Sequence, residues 1–211
     1  MYRLVKYILL LRTLLTTMAG RPKIFEEQAV IDQATNLFWQ RGYEATSTEA
    51  LLAAMGIGKG SFYLSFKGGK RELFEKTLDQ FNQRALQRFC NELNESSQPV
   101  EYIRNFFRKV ATAPSEVHQN GCYLGNTIAE AASTDRLLME KAAHLLKQLE
   151  SLFEEVIRAA QREGQLVTQE DPALLARYLL TVWNGLNITR RMYPEAAVLT
   201  PLIEMQLKPL Q

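Results

Sequence analysis

The sequence contains few of the residues that build metal centres, disulfide frameworks or turn-rich β folds. Its 211 residues include two cysteines, Cys90 and Cys122, and two histidines, His118 and His144. These four residues share no metal-ligand spacing, which argues against zinc chemistry and a disulfide framework. Eleven glycines and seven prolines are too few for an all-β chain rich in turns. We find no nucleophile–base pair or phosphate-binding loop, and we predict neither an enzyme nor a cofactor.

Long apolar runs are also missing, although the first seventeen residues are apolar and basic. The uninterrupted stretch at residues 7–11 is blocked by Arg12 and is too short for a membrane span or a signal-peptide core. Three interpretations stay open: an upstream start that makes Met18 the true first residue, a basic helix at a membrane surface, or a segment that packs on the protein. We favour the first, and we expect a cytoplasmic protein with no stable membrane association.

The remaining composition is that of a globular chain, with 46% hydrophobic and 23% charged residues and a net charge of +2. Charge is distributed unevenly, because residues 1–76 hold 11 Lys or Arg against 7 Asp or Glu, whereas residues 77–211 hold 14 against 16. A basic N-terminal third indicates a part that faces a polyanion, but this small excess identifies no function alone.

Apolar residues recur with a helical period from Phe25 onward, which predicts an all-α protein. A first helix ends at Gly42, a second opens at a Thr46-x-x-Glu49 capping box, and a third short helix covers residues 59–66. Further helices are predicted over residues 70–95, 100–113, 122–132, 135–163, 172–190 and 194–207. This order predicts a three-helix head on residues 18–76 and a helical body on residues 77–211, after an extension on residues 1–17.

Residues 46–66 have the layout of a helix-turn-helix, in which two short helices meet across a glycine-containing turn. Gly56 lies where the second helix must stop and the chain reverse, which favours a positive φ. The third helix opens with Lys59, Gly60 and Ser61, which are polar or small and suit a close approach to base edges in a DNA major groove. The motif alone is common in helical proteins.

A longer pattern surrounds this motif. It consists of Gly20-Arg21-Pro22, Ala34-Thr35-Asn36-Leu37-Phe38, Gly42-Tyr43-Glu44-Ala45-Thr46-Ser47, Gly56-Ile57-Gly58-Lys59-Gly60-Ser61-Phe62-Tyr63, Phe66, Lys70 and Glu72-Leu73. In this order the residues resemble the DNA-binding domain of the TetR family of bacterial transcriptional regulators. The sequence departs from that family at Leu51-Leu52, where Ile-Ala is usual, at Gly58, where a serine cap is usual, and by one extra residue before Lys70.

The resemblance implies a homodimer whose two heads read a palindromic operator in double-stranded DNA, with an effector pocket in each body. By the same resemblance, the major groove would be met by Thr48, Lys59, Gly60 and Ser61. Phosphates would be met by Tyr63 and Lys70, and Arg21 would reach phosphate or the minor groove. The alternative for the lysines is ordinary solvation, and for Tyr63 a half-buried ring with a wet hydroxyl.

The body opens a helix at residues 120–126, which resemble a Gly-Cys-x-x-Gly-Asn signature in one branch of the family. Cys122 near a helix N-terminus favours a thiolate, so redox or electrophile sensing is an alternative mechanism, although most cysteines are buried hydrophobes. We expect a small apolar or aromatic effector. Candidate pocket residues are Tyr102, Phe106, Cys122, Tyr123, Phe153, Tyr178 and Trp183.

The last two long helices carry an apolar stripe that would form the dimer interface, as the resemblance implies. Its members recur at three- and four-residue steps: Leu174, Leu175, Tyr178, Leu179, Val182 and Leu186, continued by Tyr193, Leu199, Leu202, Ile203 and Leu207. The alternative is that the stripe belongs to the subunit's own core. A helical dimerising protein that binds no DNA is the competing function. The expected function is a ligand-responsive repressor that a small-molecule effector releases from its operator.

Overall fold

Residues 26–211 are the part of the chain that the computed structural model describes, and they contain ten α-helices, a terminal 3₁₀ turn and no strand. The predicted all-α class is confirmed. The extension at residues 1–17 and Arg21 lie outside the described residues. The helices are α1 (Glu27–Arg41), α2 (Thr48–Met55), α3 (Lys59–Ser65), α4 (Gly69–Glu95), α5 (Pro99–Arg108), α6 (Ser115–Asn120), α7 (Tyr123–Ala131), α8 (Arg136–Arg162), α9 (Pro172–Met192) and α10 (Ala196–Gln206), with the 3₁₀ turn at Lys208–Leu210.

The head consists of α1, α2 and α3 packed against the first half of α4. α1 buries Val30, Ala34 and Phe38, which lie four residues apart on one face of the helix. Phe62 anchors α3 in the same core and is fully buried. Phe38 packs edge-on against Phe74 of α4, with 4.7 Å between the ring centroids. This packing holds α3 on the outer side of the head.

Local signals fix the two turns of the head, with one difference from expectation. Gly56 closes α2 in the left-handed conformation, at φ 65°, as its position predicts. The cap of α2 is Ser47, whose Oγ accepts a hydrogen bond from the Ala50 N–H at 3.1 Å. The predicted cap, Thr46, is buried instead and donates to the Gly42 carbonyl at 2.6 Å. The N-cap of α2 therefore lies one residue later than predicted, and position N3 is then Ala50, which has no side chain that could complete a capping box.

α4 runs from the head into the body, so the expected boundary at residue 76 falls inside one continuous helix. The body core is built from α5, α8, α9 and α10. Its fully buried members include Ile103, Phe107, Phe153, Leu179 and Leu199. No helix formed by residues 26–211 combines the length and apolarity needed to cross a membrane.

Most predicted helix limits agree with the structure within two residues, and the exceptions surround α5 and α6. α5 ends at Arg108, not at residue 113, because the chain tightens: the Val110 and Ala111 N–H groups donate to carbonyls three residues back. α6 was not predicted, because its six residues lie between Pro114 and Gly121 and read as a turn.

Candidate functional site

The outer surface of α3 is the first candidate site. Lys59 and Gly60 are exposed and Ser61 is partly exposed at the N-terminal end of this helix. Gly58 caps α3 without any side-chain hydrogen bond. Thr48, at the start of α2, is also partly exposed. The structure thus brings the four residues expected at a major groove to the solvent side of the helix-turn-helix.

Tyr63 and Leu64 extend this surface. Tyr63 is 46% exposed, while its ring packs edge-on against Phe62, with centroids 5.0 Å apart, and lies close to Gly69. Gly69 has φ +64°, and a Cβ there would sit 3.5 Å from Cε1 of Tyr63. Leu64 is 81% exposed and was not singled out from the sequence. The sequence could have indicated this exposure, because Leu64 lies on the side of α3 away from the buried Phe62.

The start of α4 is more crowded than the sequence suggested. The Lys70 ammonium lies 4.3 Å from the centroid of the Tyr43 ring, a cation–π contact. Glu72 accepts a hydrogen bond from the Gly68 N–H at 2.8 Å, and this bond lowers the pKa of its carboxyl group. A carboxylate therefore already occupies the positive N-terminal end of α4, next to Lys70 in the sequence.

The second candidate site is an apolar cavity of about 230 Å³ in the body, which we call the inner cavity. The helices α1 and α4 to α9 contribute to its walls, together with the segment that joins α6 to α7. It is lined by Trp39, Phe81, Asn82, Ala85, Leu86, Phe89, Phe106, Val117, Gly121, Cys122, Tyr123, Leu124, Leu146, Leu149, Trp183 and Arg190. Arg190 is the one charged residue in this lining.

Four of the seven candidate pocket residues line the inner cavity: Phe106, Cys122, Tyr123 and Trp183. The other three lie outside its lining. Phe153 is fully buried in the body core, and Tyr102 packs on the ring of Phe89, with centroids 5.0 Å apart. Tyr178 donates its hydroxyl to the Gln206 carbonyl at 2.8 Å. Their helical spacing could not reveal which face meets the cavity.

Cys122 is the N-cap of α7, and its Sγ accepts a hydrogen bond from the Gly125 N–H at 3.4 Å. Burial raises the pKa of the Cys122 thiol, and the hydrogen bonds from Gly125 and the Trp183 ring only oppose this rise. The expectation that the helix terminus favours a thiolate is therefore corrected, because desolvation outweighs the hydrogen bonds that the thiol accepts there.

α7 connects the inner cavity to the head. At its start, Tyr123 is buried and shares a 2.7 Å hydrogen bond with the Thr77 hydroxyl of α4. At its far end, the Glu130 carboxylate accepts hydrogen bonds from the backbone N–H groups of Tyr43 and Glu44, at 3.0 and 2.9 Å. The same short helix thus lines the cavity and holds the α1–α2 loop.

An ion pair makes a second connection between head and body. Arg71, in the first turn of α4, donates to both oxygens of Asp135 and to Glu75. Asp135 also caps α8 by accepting from the Leu138 N–H at 3.0 Å. The Arg71 hydrogen bond, aided by that N–H, lowers the pKa of the Asp135 carboxyl.

The apolar stripe of α9 faces inward. Leu175, Leu179, Val182 and Leu186 are buried in the subunit's own core, so these four members of the stripe serve the alternative role, whereas Tyr178 is partly buried. A set of apolar residues that includes two members of the predicted stripe, Leu174 and Tyr193, is exposed on α9, on α10 and in the segment between them. It comprises Leu174, Ile188, Met192, Tyr193, Val198 and Met205, each between 43% and 64% exposed.

An exposed short helix on a three-helix head, coupled to a body with an apolar cavity, defines the class of ligand-responsive DNA-binding regulators. The comparisons with known proteins agree with this class. Residues 30–77 match the family described as "Bacterial regulatory proteins, tetR family". Residues 99–204 match "Tetracyclin repressor-like, C-terminal domain". The chain belongs to the tetR family of bacterial regulatory proteins, and it is a transcriptional regulator, not an enzyme.

Several relatives cover most of the chain. The HTH-type transcriptional repressor ComR of Escherichia coli (strain K12) is 31% identical over 196 residues, which is 88% of this chain and 88% of that protein. The HTH-type transcriptional repressor DhaR of Mycobacterium sp. (strain GP1) is 25% identical over 85% of this chain and 91% of its own. A solved cysteine mutant of the TetR family regulator CifR, in complex with a 26-base-pair operator, has a TM-score of 0.78, with 25% identity over 91% of this chain and 100% of that one.

Proposed function

We propose that this protein is a cytoplasmic repressor that binds a palindromic operator as a homodimer and leaves it when a small molecule enters the inner cavity. The observation that carries the proposal is the exposed face of α3, with Lys59, Gly60 and Tyr63 outward and Phe62 buried. Named repressors among the relatives and the operator complex of CifR support it.

Each exposed residue of this face has a proposed role. Lys59, at the first turn of α3, reads base edges, whereas Tyr63 donates its hydroxyl to a phosphate. Leu64 is well placed for apolar contact with a thymine methyl group, which explains why so exposed a leucine sits on this helix. Thr48 and Ser61 support the groove contacts, and Lys70 and Arg21 add charge toward the phosphates.

The effector acts, in this proposal, through α7. A ligand in the inner cavity contacts Cys122 and Tyr123 at the start of α7, and the displacement reaches the head through Glu130. The two heads of the dimer then lose the spacing of about one helical turn of DNA that two half-sites require. The aromatic lining favours an apolar or aromatic ligand body.

Dimerisation is proposed through the exposed side of α9 and α10, in place of the buried stripe. Ile188 and Met192 lie four residues apart on α9, and Val198 and Met205 lie on α10. Exposed apolar residues on two adjacent helices are typical of a four-helix interface between two copies.

Cys122 supports one alternative trigger. It lines the inner cavity and opens the segment that resembles the Gly-Cys-x-x-Gly-Asn branch, so an electrophile that enters the cavity could alkylate it. Its raised pKa slows such a reaction, which is why reversible ligand binding is the preferred mechanism.

Selection from random duplex DNA with the full chain tests the proposal. We expect enrichment of one palindrome, with affinity that falls steeply as the salt concentration rises. A well-folded dimer that enriches no sequence would support the competing function of a helical interaction protein.

Two variants refine this test on the selected site. Tyr63→Phe should weaken binding about tenfold through the lost phosphate hydrogen bond, whereas Tyr102→Phe in the body should not. Lys59→Gln should relax base preference at one position of each half-site. Lys147→Gln, at an exposed position of α8, is its control. If the base preference is unchanged and the affinity depends less steeply on salt concentration, Lys59 contacts a phosphate and not a base.

A further inference from the structure

The inner cavity contains a buried cation without a counter-ion. Arg190 is only 3% exposed, and its Nε is buried with no hydrogen-bond partner among residues 26–211. It forms no ion pair with any described residue, and no Asp or Glu lines the cavity. Its neighbour Arg191 shows the contrast, because it donates to the Gln119 and Asn120 carbonyls and to Asn126 at 2.7–2.9 Å.

A lone buried guanidinium is costly, since no partner repays its lost hydration. Burial lowers the pKa of Arg190, and the charge of Arg191 acts in the same direction. Arginine nevertheless stays protonated in proteins, so the cavity keeps a positive charge. A planar guanidinium with several donors matches one class of ligand group especially well, the carboxylate.

The rest of the lining sets the size and character of the ligand body. Phe81, Phe89, Phe106 and Trp183 supply aromatic walls, and Leu146 and Leu149 supply aliphatic ones. An apolar cavity of about 150 Å³ holds a benzene molecule. The volume of about 230 Å³ therefore admits one aromatic ring and a short side chain.

We propose that the effector is a small organic anion, an aromatic or apolar carboxylate whose charged group pairs with Arg190 inside the inner cavity. This inference rests on the proposed function, because it names the ligand class of the same cavity. It also revises the expectation of a purely apolar effector. The carboxylate would lie next to Cys122, which faces Arg190 across the same lining.

The test compares cinnamate and benzoate with their neutral amides, cinnamamide and benzamide. Binding is measured by titration calorimetry on the full chain without DNA. We expect at least one acid to bind about tenfold or more tightly than its amide. Arg190→Met should abolish this preference, and Arg190→Lys should keep part of it. Arg158→Met, on the exposed surface of α8, is the matched control and should change nothing.

Each outcome decides the inference. Equal affinity for acid and amide, no acid binding to the native chain, or a preference that survives Arg190→Met would overturn it. Should Arg190→Met fail to fold, the acid–amide comparison on the native chain and on Arg190→Lys still decides. Operator binding is measured separately: a chain that binds its selected operator but no acid refutes only this inference. A chain that binds an acid but no DNA refutes the proposed function.

Discussion

Replacing Glu130 by alanine tests how the body holds the head. The carboxylate accepts two backbone hydrogen bonds, from the Tyr43 and Glu44 N–H groups. A hydrogen bond to a charged group contributes about 1.5–3 kcal/mol. The Glu44 bond is exposed and water can replace it, so we expect the loss of both bonds together to cost about 2 kcal/mol. For a chain of this size that corresponds to a melting temperature lower by about 4–8 °C.

Hydrogen exchange gives the site-specific measurement. In Glu130→Ala the Tyr43 and Glu44 amides should exchange faster, while amides in the centre of α8 keep their protection. The effector should still bind the inner cavity, but its effect on operator affinity should shrink, because α7 no longer reaches the head. Glu140→Ala is the control, since Glu140 is exposed and, among residues 26–211, its one ion pair is with Arg136 one turn away.

The reasoning fails if Glu130→Ala leaves the melting temperature and the exchange of both amides unchanged. It also fails in its functional part if the variant is destabilised as expected but the effector changes operator affinity as much as in the native chain. In that case coupling would pass through the Arg71–Asp135 pair or through the packing of Tyr123 against α4.

Three other predictions follow from the geometry. Asp135→Asn keeps an α8 cap but loses the ion pair with Arg71, so it should lower the free energy of unfolding by about 0–1 kcal/mol near neutral pH. Because the pKa of Asp135 is lowered in the folded protein, the stabilisation by its carboxylate is present above the ordinary aspartate pKa and disappears as the pH falls through the folded pKa. The melting temperatures of the native chain and the variant should therefore converge in acid. Ser47→Ala should cost about 1 kcal/mol in denaturant unfolding through the lost cap, whereas an unchanged midpoint would return that role to Thr46. Alkylation of Cys122 by iodoacetamide, followed by mass spectrometry, should lag behind that of the partly exposed Cys90 and rise only at pH above the ordinary thiol pKa, and fast labelling at neutral pH would favour the electrophile-sensing alternative.

The head was predictable because its signals are local. Gly56 ends α2 through its own backbone conformation. Phe62 is a large apolar residue on a short polar helix, so it fixes which side of α3 is buried in the head core. Thr46 and Ser47 are both competent caps, and only the packing of Thr46 into the head decides between them.

The cavity could not be read so directly, because its walls come from distant parts of the chain. One signal was nevertheless present. Leu179, Val182 and Leu186 follow one face of α9 at steps of three and four, and the next position on that face is Arg190. A charged residue in register with a buried stripe indicates either an internal ion pair or a ligand, and no sequence pattern distinguishes the two.

The residues that line the inner cavity differ in their connection to the head, and this difference matters for engineering the protein as a biosensor with a new ligand preference. Cys122 and Tyr123 line the cavity and also begin α7, the helix whose Glu130 binds the α1–α2 loop. Substitutions at these two residues would therefore change the position of the head together with ligand binding. Leu86 and Leu149 line the cavity from α4 and α8, and neither belongs to the buried cluster that contains the head core. Under the proposed function, substitutions at these two leucines should change ligand preference with the least effect on the contacts that α7 makes to the head.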